Sequence, residues 1–399
     1  MRTPPAVPPG AEGPGQAVAA ARKARGLTQE ELARRATVSL SLLRKVERGT
    51  RPLTPGVRAA LHSALGAARA ADDGTAAPER VAEVIPRLRE IMDAYDIPPD
   101  LPRAPRPLAD LRHLTGSATT WRLSSQYARL AAILPALIAD LTATALGTAG
   151  REQEQAFALL ALAYRAADAI ADKHGHHDMS GRATELIRWA AARSASPHME
   201  MMSTYVRAEL FFSGQHARSG LRVIDSAAGG PAPGGGDPGL LAMRGALCMR
   251  GAVLAGLAGR AGMPGEAADR LAQAQAIAQQ VPEGVYHGTA FGPASVRVHE
   301  LALAVETRDV SRAVQLAGQW RPPPALPAER RSHFHIEAAR AYCWAGNREQ
   351  SITELWHARR AAPQHARCNP AVSETIGLLI RGSRKPPPAL LRLAAWAAV

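Results

Sequence analysis

Apolar residues recur three and four positions apart along most of this chain, and no convincing strand pattern interrupts them. That spacing lines one face of an α-helix, so it predicts an all-α fold. Beyond Pro107 helical segments follow one another toward the C-terminus, with approximate limits such as 107–115, 122–147, 151–174, 239–259, 327–345 and 348–361. Turns such as "HGHHD", "RSASPH", "SGQH" and "WAGN" separate them. Composition agrees: Ala and Leu, both strong helix formers, dominate the apolar total, while aromatics are only 4%. The apolar run "YARLAAILPALIADLTATAL" is broken by Arg129, Pro135 and Asp140, which predicts a buried helix rather than a membrane span.

The stretch "LTQEELARRATVSLSLLRKVERG", Leu27–Gly49, carries clear start and stop signals. Before it, Gln16–Gly26 reads as a helix with Val18 inward. Thr28 stands as an N-cap, Glu31 completes a capping box, and Leu27 occupies the staple position. The helix Gln29–Ala36 then buries Leu32 and Ala33. Ser39 is a second N-cap, and its helix runs from Leu40 to about Arg48, with Leu43 and Val46 on one face and Gly49 ending it. Pro55 opens a closing helix carrying Val57, Leu61 and Leu65.

Two short helices separated by three or four residues form a helix-turn-helix, whose second helix fits a major groove. Its polar side presents Ser41, Arg44, Lys45 and Arg48. Serine bonds to base edges, and Arg or Lys reaches guanine O6 and N7. The candidate base readers are Leu40, Ser41, Arg44 and Lys45. The candidate phosphate contacts are Thr28, Gln29, Ser39, Arg48 and Arg51, because helix N-termini and basic side chains attract anions. The alternative for Arg44 and Lys45 is contact with phosphate alone.

Gln16–Gly66 resembles the lambda-repressor-like, XRE-type helix-turn-helix domain. "GLTQEELA" at Gly26–Ala33, Val38–Ser39 and Glu47–Gly49 carry the resemblance. It implies sequence-specific recognition of double-stranded DNA, with Leu40, Ser41, Arg44 and Lys45 facing the groove and Gln29 near the backbone. Two positions depart from the pattern. Thr37 stands where the turn usually has Gly. Leu40 stands where a polar residue is common, so it either meets a thymine methyl or packs.

Paired segments in the remainder resemble tetratricopeptide repeats. In Arg330–Gln364, Ala338 and Ala339 precede Tyr342, then Gly346 and Asn347, then Ile352, Leu355 and Ala358. Ala156–Pro197 has the same shape. The whole arrangement resembles actinobacterial XRE-type regulators with a long tetratricopeptide-like region. Such proteins recurrently show a Phe-Gly-Pro turn before a helix carrying His, here Phe291, Gly292, Pro293 and His299. The structural reading packs Phe291 and turns the chain at Gly292–Pro293. The functional reading places Tyr286, Phe291 and His299 on a wall facing an effector, a peptide or another small molecule.

Charge is unevenly placed. Residues 1–66 hold eleven Lys/Arg against four Asp/Glu, while the whole chain has a net charge of +13. A basic front suits a polyanionic partner. Cys248, Cys343 and Cys368 are widely spaced, so neither a zinc motif nor a disulfide framework is indicated, and a reduced cytoplasmic setting fits. His174, His176, His177 and Asp178 read as a surface turn, and His333 and His335 diverge on a helix. No metal, cofactor or catalytic pattern emerges, and the chain is not read as an enzyme. The expected plan is a disordered tail (1–14), a helix-turn-helix domain (15–66), a linker and connecting helix (67–106) and a tetratricopeptide-like array (107–399). That plan suits a homodimeric, sequence-specific DNA-binding transcriptional regulator with an effector-sensing array and no membrane partner. The alternative is a protein–protein scaffold with a DNA-binding adaptor.

Overall fold

The computed structural model describes residues 14–23, 27–36, 38–51, 57, 61, 77–212, 216–228, 237–259 and 265–399. The chain divides into two units, Met1–Ala76 and Ala77–Val399. The expected tail through residue 13, Thr37, Pro55, Leu65, residues 67–76 and the centre of the Gly/Pro-rich loop 227–239 lie outside the described residues.

In the front unit, α1 spans Pro14–Lys23, α2 Gln29–Arg35 and α3 Leu40–Glu47. Their limits follow from capping. Thr28 Oγ1 accepts from Glu31 N at 3.1 Å, while Glu31 Oε2 accepts from Thr28 N at 2.8 Å, a complete capping box. Ser39 Oγ accepts from Leu42 N at 3.2 Å and starts α3. At the far end Gly49 takes φ 71°, and the amides of Gly49 and Thr50 return to Val46 O and Lys45 O. Val18, Leu32, Ala33, Leu43, Val46 and Leu61 form one buried cluster. Helices this short are marginal alone, so that shared apolar face supplies most of their stability.

The rear unit begins with α4 (Ala77–Asp93), α5 (Leu108–Leu123), α6 (Tyr127–Gly147), α7 (Gly150–Lys173), α8 (His177–Arg193) and α9 (Pro197–Arg207). A 3₁₀ turn at Ala208–Phe211 leads to α10 (Ala217–Ala228), α11 (Pro238–Gly259) and α12 (Gly265–Ala278). After a hairpin come α13 (Pro293–Glu306), α14 (Val310–Gln319), α15 (Ala328–Trp344), α16 (Arg348–Ala361), α17 (Pro363–Cys368), α18 (Pro370–Arg381) and α19 (Pro388–Ala397). Consecutive helices pack as pairs, most extensively α7 on α8, α11 on α12 and α15 on α16. Small residues let them approach: Ala156, Ala163, Ala167, Ala183 and Ala190 are all fully buried. In the α15–α16 pair, Asn347 caps α16 by accepting from Gln350 N at 3.2 Å, just after Gly346 at φ 78°.

α6 and α11 are long and apolar enough to cross a membrane by length and composition, and both are mostly buried within the unit. The acid that interrupts α6, Asp140, is 2% exposed and is met by Arg103 at 3.1 Å and by Arg106. Arginines of the proline-rich stretch therefore neutralise it.

Two expectations need correction. The segment 107–115 continues as α5 to Leu123, because nothing in "GSATTWRL" stops a helix; the break falls at Ser124–Gln126, with Ser125 at φ 54°. Strands are also present. β1 (Gly284–Tyr286) and β2 (Thr289–Phe291) pair antiparallel, with Gly284 opposite Phe291. Their two-residue turn, His287–Gly288, has φ 48° and 76°, the positive pair that matches strand twist in a tight hairpin. Strands of three residues are too short to show alternation in sequence.

Candidate functional site

The front unit offers one polar helix face. Ser41, Arg44, Lys45 and Arg48 are exposed, Leu40 is half-buried, and Leu43 and Val46 lie 0% and 1% exposed on the opposite side. All four expected base readers therefore stay accessible except that Leu40 also packs against the apolar cluster. The burial of Leu43 and Val46 fixes the rotation of α3, and so the direction of its polar face.

The expected phosphate contacts are placed differently from one another. Arg48 and Arg51 are exposed, and Arg48 Nε donates back to Arg44 O at 3.1 Å. The Thr28 and Ser39 hydroxyls are exposed but serve as helix caps. Gln29 turns inward, its Nε2 donating to Glu47 Oε2 at 2.7 Å. Glu47 was given no role by the sequence, yet it joins three segments. It is 8% exposed and receives Arg22 Nε at 2.7 Å and Arg22 Nη2 at 3.0 Å. Arg22 Nη1 also donates to Leu27 O at 2.8 Å. This fork ties α1 and the start of α2 to the end of α3. Its signal was the "ERG" motif, read as part of the family resemblance and as a helix end, with no ion pair assigned to Glu47.

A second site lies within the rear unit, where α5, α7, α9, α11, α13, α15 and the hairpin converge on a cavity of about 390 Å³. Its lining is unusually charged: Arg122, Arg165, Lys173, Arg250 and Arg330 face Asp168, Glu209, Glu329 and Glu337, with His299, His333 and His365 among them. Tyr205 stands at the centre of the arginines. Arg250 lies 3.8 Å over its ring, Arg330 donates to its hydroxyl at 2.9 Å, and Arg250 pairs with Glu209 at 3.1 Å.

The electrostatics are those of a positive enclosure. Burial pushes the Tyr205 phenol up, yet Arg250, Arg330 and Arg165 pull it down to about 8. Desolvation opposes ionisation of Glu209 only in part, since its side chain is 46% exposed, and Arg250 and Lys173 outweigh it, holding the carboxyl at about 2. Burial, then Arg122, lowers Arg165 to about 9. His365 falls to about 3 through burial and the neighbouring Lys173 and Arg330. His299 is pushed well below its usual value by burial and Arg330. Asp168 moves the other way, to about 7, because burial and Glu209 favour its neutral form.

Of the three residues expected to face an effector, His299 lines this cavity, its Nδ1 bonded to Ser295 O at 3.0 Å. Phe291 does not. Its ring is 0% exposed and seated on Gly245 of α11, where a Cβ would stand 2.0 Å from the ring. Tyr286 is half-buried, donates to Pro282 O at 2.9 Å, and is outside the lining. Both serve the hairpin. Glu283, just ahead of β1, caps α13 by accepting from Ala294 N at 2.7 Å and Ser295 N at 3.0 Å. The Phe-Gly-Pro motif thus connects hairpin to helix.

Elsewhere, His335 Nδ1 lies 2.6 Å from Glu354 Oε2, and His357 Nδ1 lies 3.5 Å from the same oxygen. Arg321 approaches the other carboxylate oxygen at 3.3 Å, so this acid already meets a cation.

A three-helix core with a capped, turn-linked pair and one exposed basic helix face is the arrangement of a helix-turn-helix domain. Residues 18–68 match the Helix-turn-helix family model, which places this domain in the XRE type and supports a DNA-binding regulator in general terms. No curated protein and no solved structure matches the chain.

Proposed function

We propose that the chain is a cytoplasmic, sequence-specific transcriptional regulator, dimeric on DNA, in which a tetratricopeptide-like rear unit senses a small effector. One observation carries the reading: Ser41, Arg44 and Lys45 stand exposed on a helix whose opposite side is buried. In the major groove those groups meet base edges, while Arg48 and Arg51, with backbone amides at the helix starts near Thr28, Gln29 and Ser39, meet phosphates. A single recognition helix covers few base pairs, so two copies on successive half-sites supply the affinity and selectivity a regulator needs.

The charged cavity supports the sensing role. Buried ionised groups are costly to retain unless partners or ligands meet them, and perturbed titration clusters at functional sites. Duplex binding at several salt concentrations, with light scattering on the same samples, tests the reading. Affinity should fall steeply with salt while preference for one sequence persists, and the bound species should have the mass of two chains. Equal affinity for all duplexes, or a monomer on its preferred duplex, would refute it.

A further inference from the structure

Arg122 and Arg165, from α5 and α7, are 7% and 6% exposed and line the cavity. Each holds the hairpin turn through one terminal nitrogen. Arg122 Nη2 donates to Gly288 O, and Arg165 Nη1 donates to His287 O at 3.1 Å and Thr289 Oγ1 at 2.8 Å. Both guanidinium groups converge on one point: a Cβ on Gly288 would stand 3.2 Å from Arg165 Nη1 and 3.5 Å from Arg122 Nη2. Among the described residues, neither has a carboxylate within ion-pair distance.

Two buried like charges side by side, hydrogen-bonded to backbone and hydroxyl oxygens and with Arg165 also 5.6 Å from the centre of the Tyr205 ring, have no carboxylate directly paired to them and leave an unmet demand for negative charge. Three carboxylates of the lining are engaged by other cations. Glu209 answers Arg250 at 3.1 Å, Asp172 answers Lys173 at 2.7 Å, and Glu337 answers Arg340 at 2.7 Å. The second terminal nitrogen of each of the two arginines has no partner among the described residues and is free to donate. Planar guanidinium forks match the oxygen geometry of carboxylates and phosphates.

Resting on the sensing role above, we propose that this cavity binds a small organic anion, with its carboxylate or phosphate seated between Arg122 and Arg165 against the hairpin turn. The volume of about 390 Å³ suits a metabolite-sized molecule. Glu329, on α15, gives an acceptor for a hydroxyl or amine elsewhere on that ligand. The bound anion bridges α5, α7 and the hairpin, three segments far apart in the chain.

Calorimetry on the full chain at constant ionic strength tests this with citrate, glycerol 3-phosphate and uncharged glycerol as probes. Saturable binding of citrate or glycerol 3-phosphate, without binding of glycerol, is expected, and the stronger of the two anions identifies the group the site prefers. Arg165→Gln should weaken that binding by about tenfold or more, the scale of a lost charge-assisted hydrogen bond. Because this change also loosens the hairpin, hydrogen exchange on the unaltered protein gives a second reading: the anion should slow exchange across residues 284–291. Absence of saturable anion binding at millimolar concentration, glycerol binding as well as its phosphate, or unchanged exchange across the hairpin would overturn the proposal. Duplex selection is measured on the same preparation. Intact selection without anion binding removes the ligand assignment alone, and anion binding without selection removes the regulator reading alone.

Discussion

Arg22 and Glu47, 25 positions apart in sequence, face each other in a two-pronged ion pair of 2.7 and 3.0 Å, with side chains only 10% and 5% exposed. The pair locks α1 to the end of α3. Removing one partner of a buried pair strands the other charge, at a cost of about 3–5 kcal/mol. Glu47→Ala should therefore lower the stability of the front unit by about that amount and weaken duplex binding, although Glu47 is 8% exposed and lies off the polar face of α3. Circular dichroism and chemical denaturation of the variant check this; an unchanged midpoint would contradict it.

Ser39 gives a milder perturbation. Its hydroxyl satisfies the Leu42 amide at the start of an eight-residue helix. Ser39→Ala should cost about 1 kcal/mol, and Ser39→Asp should retain the cap. Denaturation midpoints in the order wild type, Asp, Ala, with the last two well separated, are expected.

Gly245 and Phe291 make the tightest contact between α11 and the hairpin, where an added Cβ would stand 2.0 Å from the ring. Gly245→Ala forces the ring or the helix to move, and overpacking of this kind costs about 1–3 kcal/mol. The rear unit should melt earlier, and exchange across residues 284–291 should accelerate. A melting temperature equal to the wild type would show that the hairpin adapts freely.

The acid response follows from the cavity. His365 is 3% exposed, and its folded-state value of about 3 lies below the ordinary histidine value. As pH falls through 6.5 the unfolded chain takes up a proton that the folded chain refuses. The group's contribution to stability is thus complete above pH 6.5 and is lost on acidification, by up to about 1.4 kcal/mol per pH unit. Asp168 and Glu337, both raised to about 7, act in the opposite sense: they favour the folded state increasingly as pH falls from 7 toward their unfolded values. His365→Gln should accordingly make the rear unit less acid-sensitive between pH 6.5 and 5. Denaturation curves at the two pH values measure the difference.

The helices were legible because local chemistry sets them. Thr28 and Ser39 cap helices where the residue pattern indicates, and the buried stripe of Leu32, Leu43 and Val46 follows directly from spacing. The all-α class followed from the same periodicity. What escaped was non-local. Arg122, Arg165, Arg250 and Arg330 come from four helices, and each alone looks like a surface charge. Glu47 had no assigned partner in the sequence, because Arg22 lies 25 positions away. The hairpin was hidden because its turn uses positive φ at His287, a residue without a strong turn signal. Phe291 was assigned two readings, and the packing one describes its place against Gly245.

Selection from a random duplex library tests most directly whether the exposed face of α3 reads sequence. The unaltered chain should enrich one motif, and Arg44→Ala combined with Lys45→Ala should lose that motif while the fold, followed by circular dichroism, is retained. Enrichment of the same motif by the double variant would place sequence recognition somewhere other than the face of Ser41, Arg44 and Lys45.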